Sequence, residues 1–335
     1  MKRIISLLLA LALAFSLTAC TVPVEKSDDG KIQIVATLFP YYDFARAIVG
    51  DRADVTLLLS PGREAHSFEP TPLDAVTISE ADVFLYNGGE GEYWVESMLD
   101  AAGEHIAVAS RMMDYVDALN EEYVEGMQGA DGHDHDHEHG SHDDHDHDHE
   151  EDEHDSDEIE YDEHIWTSPK NAVILCRAVC DAICRADAEN AAFYRTNCEN
   201  YCAQLEDLDA RFAALCESAP RRLLIFADRF PMLYFCREYG LDYRAAFHGC
   251  SGDTEPSLAT IKFLIDKVEN ENIPVVYTID FGTKKVAAVV SECTGAAIET
   301  LYSMQTVSRA DFDAGETYLT LMERNFEALR KGLNA

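Results

Sequence analysis

Positive charge is what this chain has least of. Its 26 Lys and Arg face 63 Asp and Glu, a formal charge of −37 at pH 7. A field of that sign excludes nucleic acid and anionic lipid headgroups as partners and favours cations near the surface. A membrane-spanning run is missing too. The N-terminal apolar stretch, residues 4–17, is too short for a bilayer and follows Lys2 and Arg3, the pattern of a secretory signal. Neither HExxH nor GxSxG occurs, and no general base lies beside the motifs described below. Those absences weigh against an exported zinc hydrolase, the enzymatic alternative. CxxC is lacking as well, so no zinc-ribbon spacing is present.

What the chain has in excess is histidine in one place. Between residues 131 and 158 stand nine of its 13 histidines: His133, His135, His137, His139, His142, His145, His147, His149 and His154. Fifteen carboxylates accompany them, with no Lys or Arg. Nothing there buries apolar area to offset the entropy of ordering, so the segment is expected to be a disordered loop. Imidazole suits zinc, copper and nickel, and carboxylates add oxygen ligands, which makes an accessory metal-capturing tract. A solvated acidic linker would account for the acid but not for the histidine.

The signal, residues 1–19, ends in Leu17-Thr18-Ala19-Cys20, which resembles a bacterial lipobox. Cys20 is then the lipidated first residue of the mature chain, and residues 20–31 are a tether. The protein is expected outside the cytoplasmic membrane of a bacterium, anchored to its outer leaflet. Nine further cysteines follow. Cys176, Cys180 and Cys184 share one helical face by their i, i+4, i+8 spacing, as do Cys198 and Cys202. Cysteines on one helix are poorly placed for disulfides with one another. They read as small buried hydrophobes, a soft-metal site being the other reading.

The fold expected is α/β with two lobes, each a mostly parallel sheet flanked by helices. IQIVATL, DVTLLL, DVFLYN and HIAVAS predict four strands in an N-terminal lobe, residues 32–186. RLLIFAD, YRAAFHG, PVVYTID and AAIETLY predict four more in a C-terminal lobe, residues 218–335. Residues 187–217 contain no Gly or Pro and carry apolar residues at helical spacing. They predict a helix approaching ~45 Å, long enough to join the lobes as a strut. Two α/β lobes enclose a cleft, where a small ligand is best held.

Three segments carry the chemistry. They are SPGREAHSFEPTP at 60–72, DEHIWTSP at 162–169 and FADRFP at 226–231. With LFPYYDFARAIVGD, DVFLYNGGEGEYW and the closing ETYLTLMERNFEAL, they make the chain resemble the metal-binding solute-binding proteins of ABC transporters, the zinc and manganese uptake group. The likeness extends over essentially the whole mature chain. It implies a periplasmic-binding-protein-like fold with a rigid inter-lobe helix, an ion between the lobes and a membrane permease as partner. The histidine-rich segment stands where the zinc-type members carry theirs.

His66 and His164 match the family's two N-lobe histidine ligands. After the first C-lobe strand the family usually offers His or Glu, whereas this chain reads Ala227-Asp228-Arg229. Asp228 is the natural substitute; its other reading is a turn residue bonded to Arg229. The fourth, acidic position maps onto Asp280, with Glu255 and His248 as further candidates that spacing does not separate. A His₂Asp₂ set suits tetrahedral zinc and can also hold manganese. The histidine tract favours Zn(II) as the transported ligand, with Mn(II) the alternative. The function expected is Zn(II) capture and delivery by a monomer; a surface adhesin or passive metal buffer is the rival.

Overall fold

The computed structural model describes residues 30–63, 65, 67–103, 106–127, 160–249 and 255–334. The signal, Cys20, most of the tether, His66 and the nine tract histidines lie outside them.

Strands β1 (Gln33–Ala36), β2 (Asp54–Leu57), β3 (Val83–Tyr86) and β4 (Val108–Arg111) pair in parallel in the order β2-β1-β3-β4. The C-terminal lobe repeats the plan. Its β5 (Leu223–Phe230), β6 (Asp242–His248), β7 (Val275–Ile279) and β8 (Ala297–Leu301) pair in parallel in the order β6-β5-β7-β8. Central strands are apolar on both faces, as sheets covered by helices require: Val83, Phe84 and Leu85 are fully buried. Both sheets switch direction beside their first strand, so crevices open at the strands' carboxyl ends.

Helices α1 (Phe39–Val49), α2 (Pro72–Ser79), α3 (Val95–Ala102) and α4 (Pro169–Ala186) belong to the first half. After the long α5 (Ala191–Ser218) come α6 (Leu233–Tyr239), α7 (Leu258–Glu271), α8 (Lys285–Thr294), α9 (Arg309–Asp313) and α10 (Tyr318–Asn334). No described helix is long and apolar enough to cross a membrane. Local chemistry fixes several starts. Thr71 and Asp74 form a capping box ahead of α2, with Pro72 in its first turn. Ser168 caps α4 by accepting from the Asn171 N–H, and Pro169 begins the helix. Residues 187–190 form a turn in which Asp187 accepts from the Asn190 N–H (3.2 Å) and the Tyr194 hydroxyl (2.7 Å). The long helix therefore starts a turn later than expected, at Ala191.

At 28 residues, α5 extends ~42 Å. It packs on α4 and α1 towards one lobe and on α6 and α10 towards the other. One hydrophobic core runs continuously through both lobes along it, and a smaller one lies between the C-terminal sheet and α7 and α8. Buried polar bonds fasten the junction. Asp43 of α1 accepts from the Tyr201 hydroxyl of α5 (2.7 Å) and the Tyr318 N–H of α10 (2.9 Å). The Tyr318 hydroxyl donates to the Trp166 carbonyl (2.7 Å), and Trp166 Nε1 donates to the Ser303 carbonyl (2.7 Å). Burial raises the Asp43 pKa, and the two donors pull it back only in part.

Asp43→Ala would leave two buried donors without an acceptor. Its expected cost is about 2–4 kcal/mol, with Asp43→Asn, which keeps one acceptor oxygen, costing about half. Urea denaturation of the metal-free protein measures both; equal losses would show that the charge, not the acceptor, matters.

Candidate metal centre

Residues 162–166 lie at the lobe junction, and all five are buried. Both lobes hold this stretch. The Asp162 N–H donates to the Leu119 carbonyl (2.9 Å), while Tyr234 of α6 donates to the Asp162 carbonyl (2.8 Å). Asn87, just past β3, donates to the Glu163 carbonyl (3.0 Å). The Asp162 carboxylate accepts from the His164 backbone N–H (2.8 Å) and stands 3.1 Å from His164 Nδ1. A carboxylate on Nδ1 fixes the ring and its tautomer and keeps a lone pair on Nε2, as metal-binding histidines need. Burial lowers the His164 pKa, but the Asp162 charge and hydrogen bond outweigh it and leave the pKa raised.

Across from His164 the C-terminal lobe supplies the opposite wall. Asp280, one residue past β7, lines the same cavity as His164 and receives the Ser303 N–H (3.2 Å). Gly249 permits the approach, since a Cβ there would lie 3.1 Å from the His164 ring and 2.9 Å from the Phe230 carbonyl. In β5 the register with β6 shifts between Phe226 and Arg229, an irregularity of the kind that re-aims side chains beside a site. Arg229 lines the cavity and Asp228 does not. The Asp228 carboxylate accepts from the Thr278 hydroxyl (2.6 Å) and the Arg229 N–H (2.9 Å), packed against Gly282. Glu255 is exposed and faces Lys285 at 3.6 Å. Of the candidate ligands, the structure brings together His164 and Asp280. His66 is outside the described residues, but its neighbours Ala65 and Phe68 line an adjoining cavity with Glu163 and Gln305. Gln305 also borders the His164 cavity.

Residues 34–332 match the sequence profile of ZnuA, zinc-uptake complex component A, periplasmic. The chain belongs to the ZnuA family. This is a family of uptake components, not of enzymes. Among its relatives is the high-affinity zinc uptake system protein ZnuA of Bacillus subtilis, 30% identical over 310 residues, covering 92% of this chain and 89% of that protein. The zinc-binding lipoprotein AdcA of Streptococcus pneumoniae is 30% identical over 334 residues, covering 99% of this chain but only 61% of its own length. This chain thus spans about three fifths of the AdcA proteins it matches. Among solved structures, the Zn(II)-bound ZnuA-like domain of S. pneumoniae AdcA superposes with a TM-score of 0.71 at 25% identity, covering 91% of this chain and all of that one.

Two features of this ZnuA-family chain escaped sequence reasoning. The first sits where the histidine-rich segment leaves and rejoins the fold. An antiparallel bridge pairs Asn120 with Tyr161, and the Glu121 N–H donates to the Glu160 carbonyl (2.8 Å). There the side chains of Glu121, Glu160 and His248 bring their ligand atoms within 4.8 Å of one another, with His248 Nδ1 on Glu121. Only pairing across the segment makes this cluster, so spacing along the chain carries no signal for it.

The second is Glu92, buried beside the cavity that Ala65 and Phe68 line. Burial raises its pKa to about 7, although the Gly88 N–H, donating to its carboxylate at 2.8 Å, partly offsets it. In the unfolded chain the carboxyl ionises at about 4.3. The folded form therefore keeps the proton between these values, and stability falls as pH rises through that window. Glu92→Gln should abolish this loss. Urea melts should find the variant and parent equal near pH 4 and the variant more stable by about 4 kcal/mol above pH 8. An unchanged difference across that range would mean that folding does not shift the Glu92 carboxyl.

Proposed function

We propose that this protein is the extracytoplasmic solute-binding component of an ABC importer. On this reading it holds Zn(II) between its lobes and hands the ion to a membrane permease. The observation that carries the reading is the pair His164 and Asp280, one ligand-type side chain from each lobe on one cavity, with Asp162 behind the imidazole. His66 supplies the second imidazole from the loop after β2. Two imidazoles and a carboxylate leave a fourth position for Asp228 or for water in a tetrahedral shell. Asp228 reaches the ion only by leaving Thr278; where it stands, it braces the 278–282 turn that carries Asp280.

Zinc rather than manganese fits the imidazoles and the nine histidines of the 131–158 segment. That segment is the accessory collector. Glu121, Glu160 and His248 at its neck are a way station of intermediate affinity between collector and cleft. The mature chain acts as a monomer tethered through a lipid on Cys20. Because the junction is fastened by Trp166, Tyr318 and α5, the site is preorganised and zinc has little ordering to cause.

Zinc competition titrations on the purified mature protein test these roles. His164→Ala should weaken the tight site by at least ~100-fold, and Asp162→Asn by ~10–100-fold. Asp280→Asn should cost more than Asp228→Asn; the reverse order would make Asp228 the ligand. Deletion of residues 131–158 should remove only the weak equivalents. Since His164 must be unprotonated to bind and its pKa is raised, tight affinity should begin to fall above the ordinary imidazole value of about 6.5 as pH drops. A profile flat from pH 8 to 6 would exclude a histidine ligand.

A further inference from the structure

Helices α4 and α5, joined by the 187–190 turn, form an antiparallel hairpin whose inner seam contains five cysteines. Cys176, Cys180 and Cys184 come from one helix and Cys198 and Cys202 from the other, and all five are buried. Three of them converge. The sulfurs of Cys176, Cys198 and Cys202 all lie within 4.8 Å of one another. Cys198 and Cys202 are 3.9 Å apart, their thiols also reach the Cys176 and Val173 carbonyls of α4 (3.8 and 3.9 Å), and Cys180 stands one turn from Cys176 on the same helical face. Cys184 is set apart, 3.9 Å from Cys180 and turned to the Ala191 carbonyl.

Plain packing would need only small apolar side chains, and Ala or Val at these positions would fill the seam. It does not require three sulfurs from two helices to lie within 4.8 Å of one another. An ion bound to thiolates at ~2.3 Å needs its sulfurs about 3.7–4 Å from one another, whether three or four take part. Cys198 and Cys202 already stand at that separation and Cys176 lies within 4.8 Å of both, so small rotations of the Cys side chains, Cys180 among them, would complete the set. A pair of disulfides would instead draw the sulfurs into two couples, Cys176 with Cys202 and Cys180 with Cys198. The arrangement of three sulfurs mutually near one another favours a shared ion.

We propose that Cys176, Cys180, Cys198 and Cys202 form a second metal site, an all-sulfur site for a soft divalent ion of the zinc and cadmium type. The four thiols release four protons to solvent as the ion binds, with no change of oxidation state. The donors differ in kind from the nitrogen and oxygen ligands of the cleft, so the two sites do not compete on equal terms for one ion. The seam is closed to solvent. The ion is therefore taken up as the hairpin forms and stays, stapling α5 to α4 where α5 leaves the N-terminal lobe. It is structural rather than cargo.

Cobalt(II) is the probe, because sulfur ligation gives it an intense thiolate-to-metal charge-transfer band that nitrogen and oxygen ligands do not. The mature full-length chain is refolded under reducing conditions with cobalt(II) and then dialysed against a chelator strong enough to empty the cleft. One cobalt per chain should remain, with the charge-transfer band. His164→Ala should leave both unchanged. Cys198→Ser should lose both, and Cys198→Ala, which suits a buried seam better than Ser, should also lose both while keeping the helical circular dichroism of the parent. Absence of the band in the parent, or its persistence in both Cys198 variants, would overturn the proposal. So would a parent chain that, refolded under air, has a mass four protons lower and no retained metal, the signature of two disulfides.

Discussion

Burial of the His164–Asp162 pair at the lobe junction is the constraint on which the rest of the structure depends. A solvent-exposed imidazole needs no support, but one enclosed at 1% exposure must have its ring oriented and its polar atoms satisfied. Asp162 does both through one carboxylate oxygen, which bonds the His164 backbone and faces its ring. Asp162 must in turn be held, and Leu119 and Tyr234 hold its backbone from opposite lobes. Two residues on, Trp166 ties the same stretch to Ser303 and Tyr318. The 162–166 stretch is thus anchored to both lobes.

Charge and rigidity act together around this point. Glu163 is buried with its pKa raised, Glu92 more strongly so, and Glu121 adds to the field at His164. Burial in a low dielectric disfavours the charged form of both carboxyls, and neighbouring carboxylates add to it. The acidic composition, a bulk property of the sequence, thus reaches into the buried wall of the junction.

Donor types are divided along the chain. Imidazole and carboxylate dominate the 131–158 sequence and line the cavity at His164, while sulfur gathers in the buried α4–α5 seam. Harder and faster-exchanging ligands suit an ion in transit; buried thiolates suit one that stays.

Much of this was legible in the sequence. The eight strand segments, the two-lobe division and the long helix follow from periodicity and turn residues, because those signals are local and each residue declares its own environment. The start of α5 was misread by a turn because Asp187 folds back onto Asn190 and Tyr194, a local contest between a cap and a helix. Whether Asp228 or Asp280 faces His164 depends on the irregularity after Phe226 and on the approach of β7. The Glu121–Glu160–His248 group exists only because a bridge closes the neck of the histidine-rich segment. The cysteines carried their helical spacing openly, yet only the pairing of two antiparallel helices turned two faces into one cluster. By itself the sequence determined the elements, the acidic field and the ligand types. Tertiary structure alone decided which of those ligands meet, since that depends on contacts between residues tens to more than a hundred positions apart, for which chain spacing carries no signal.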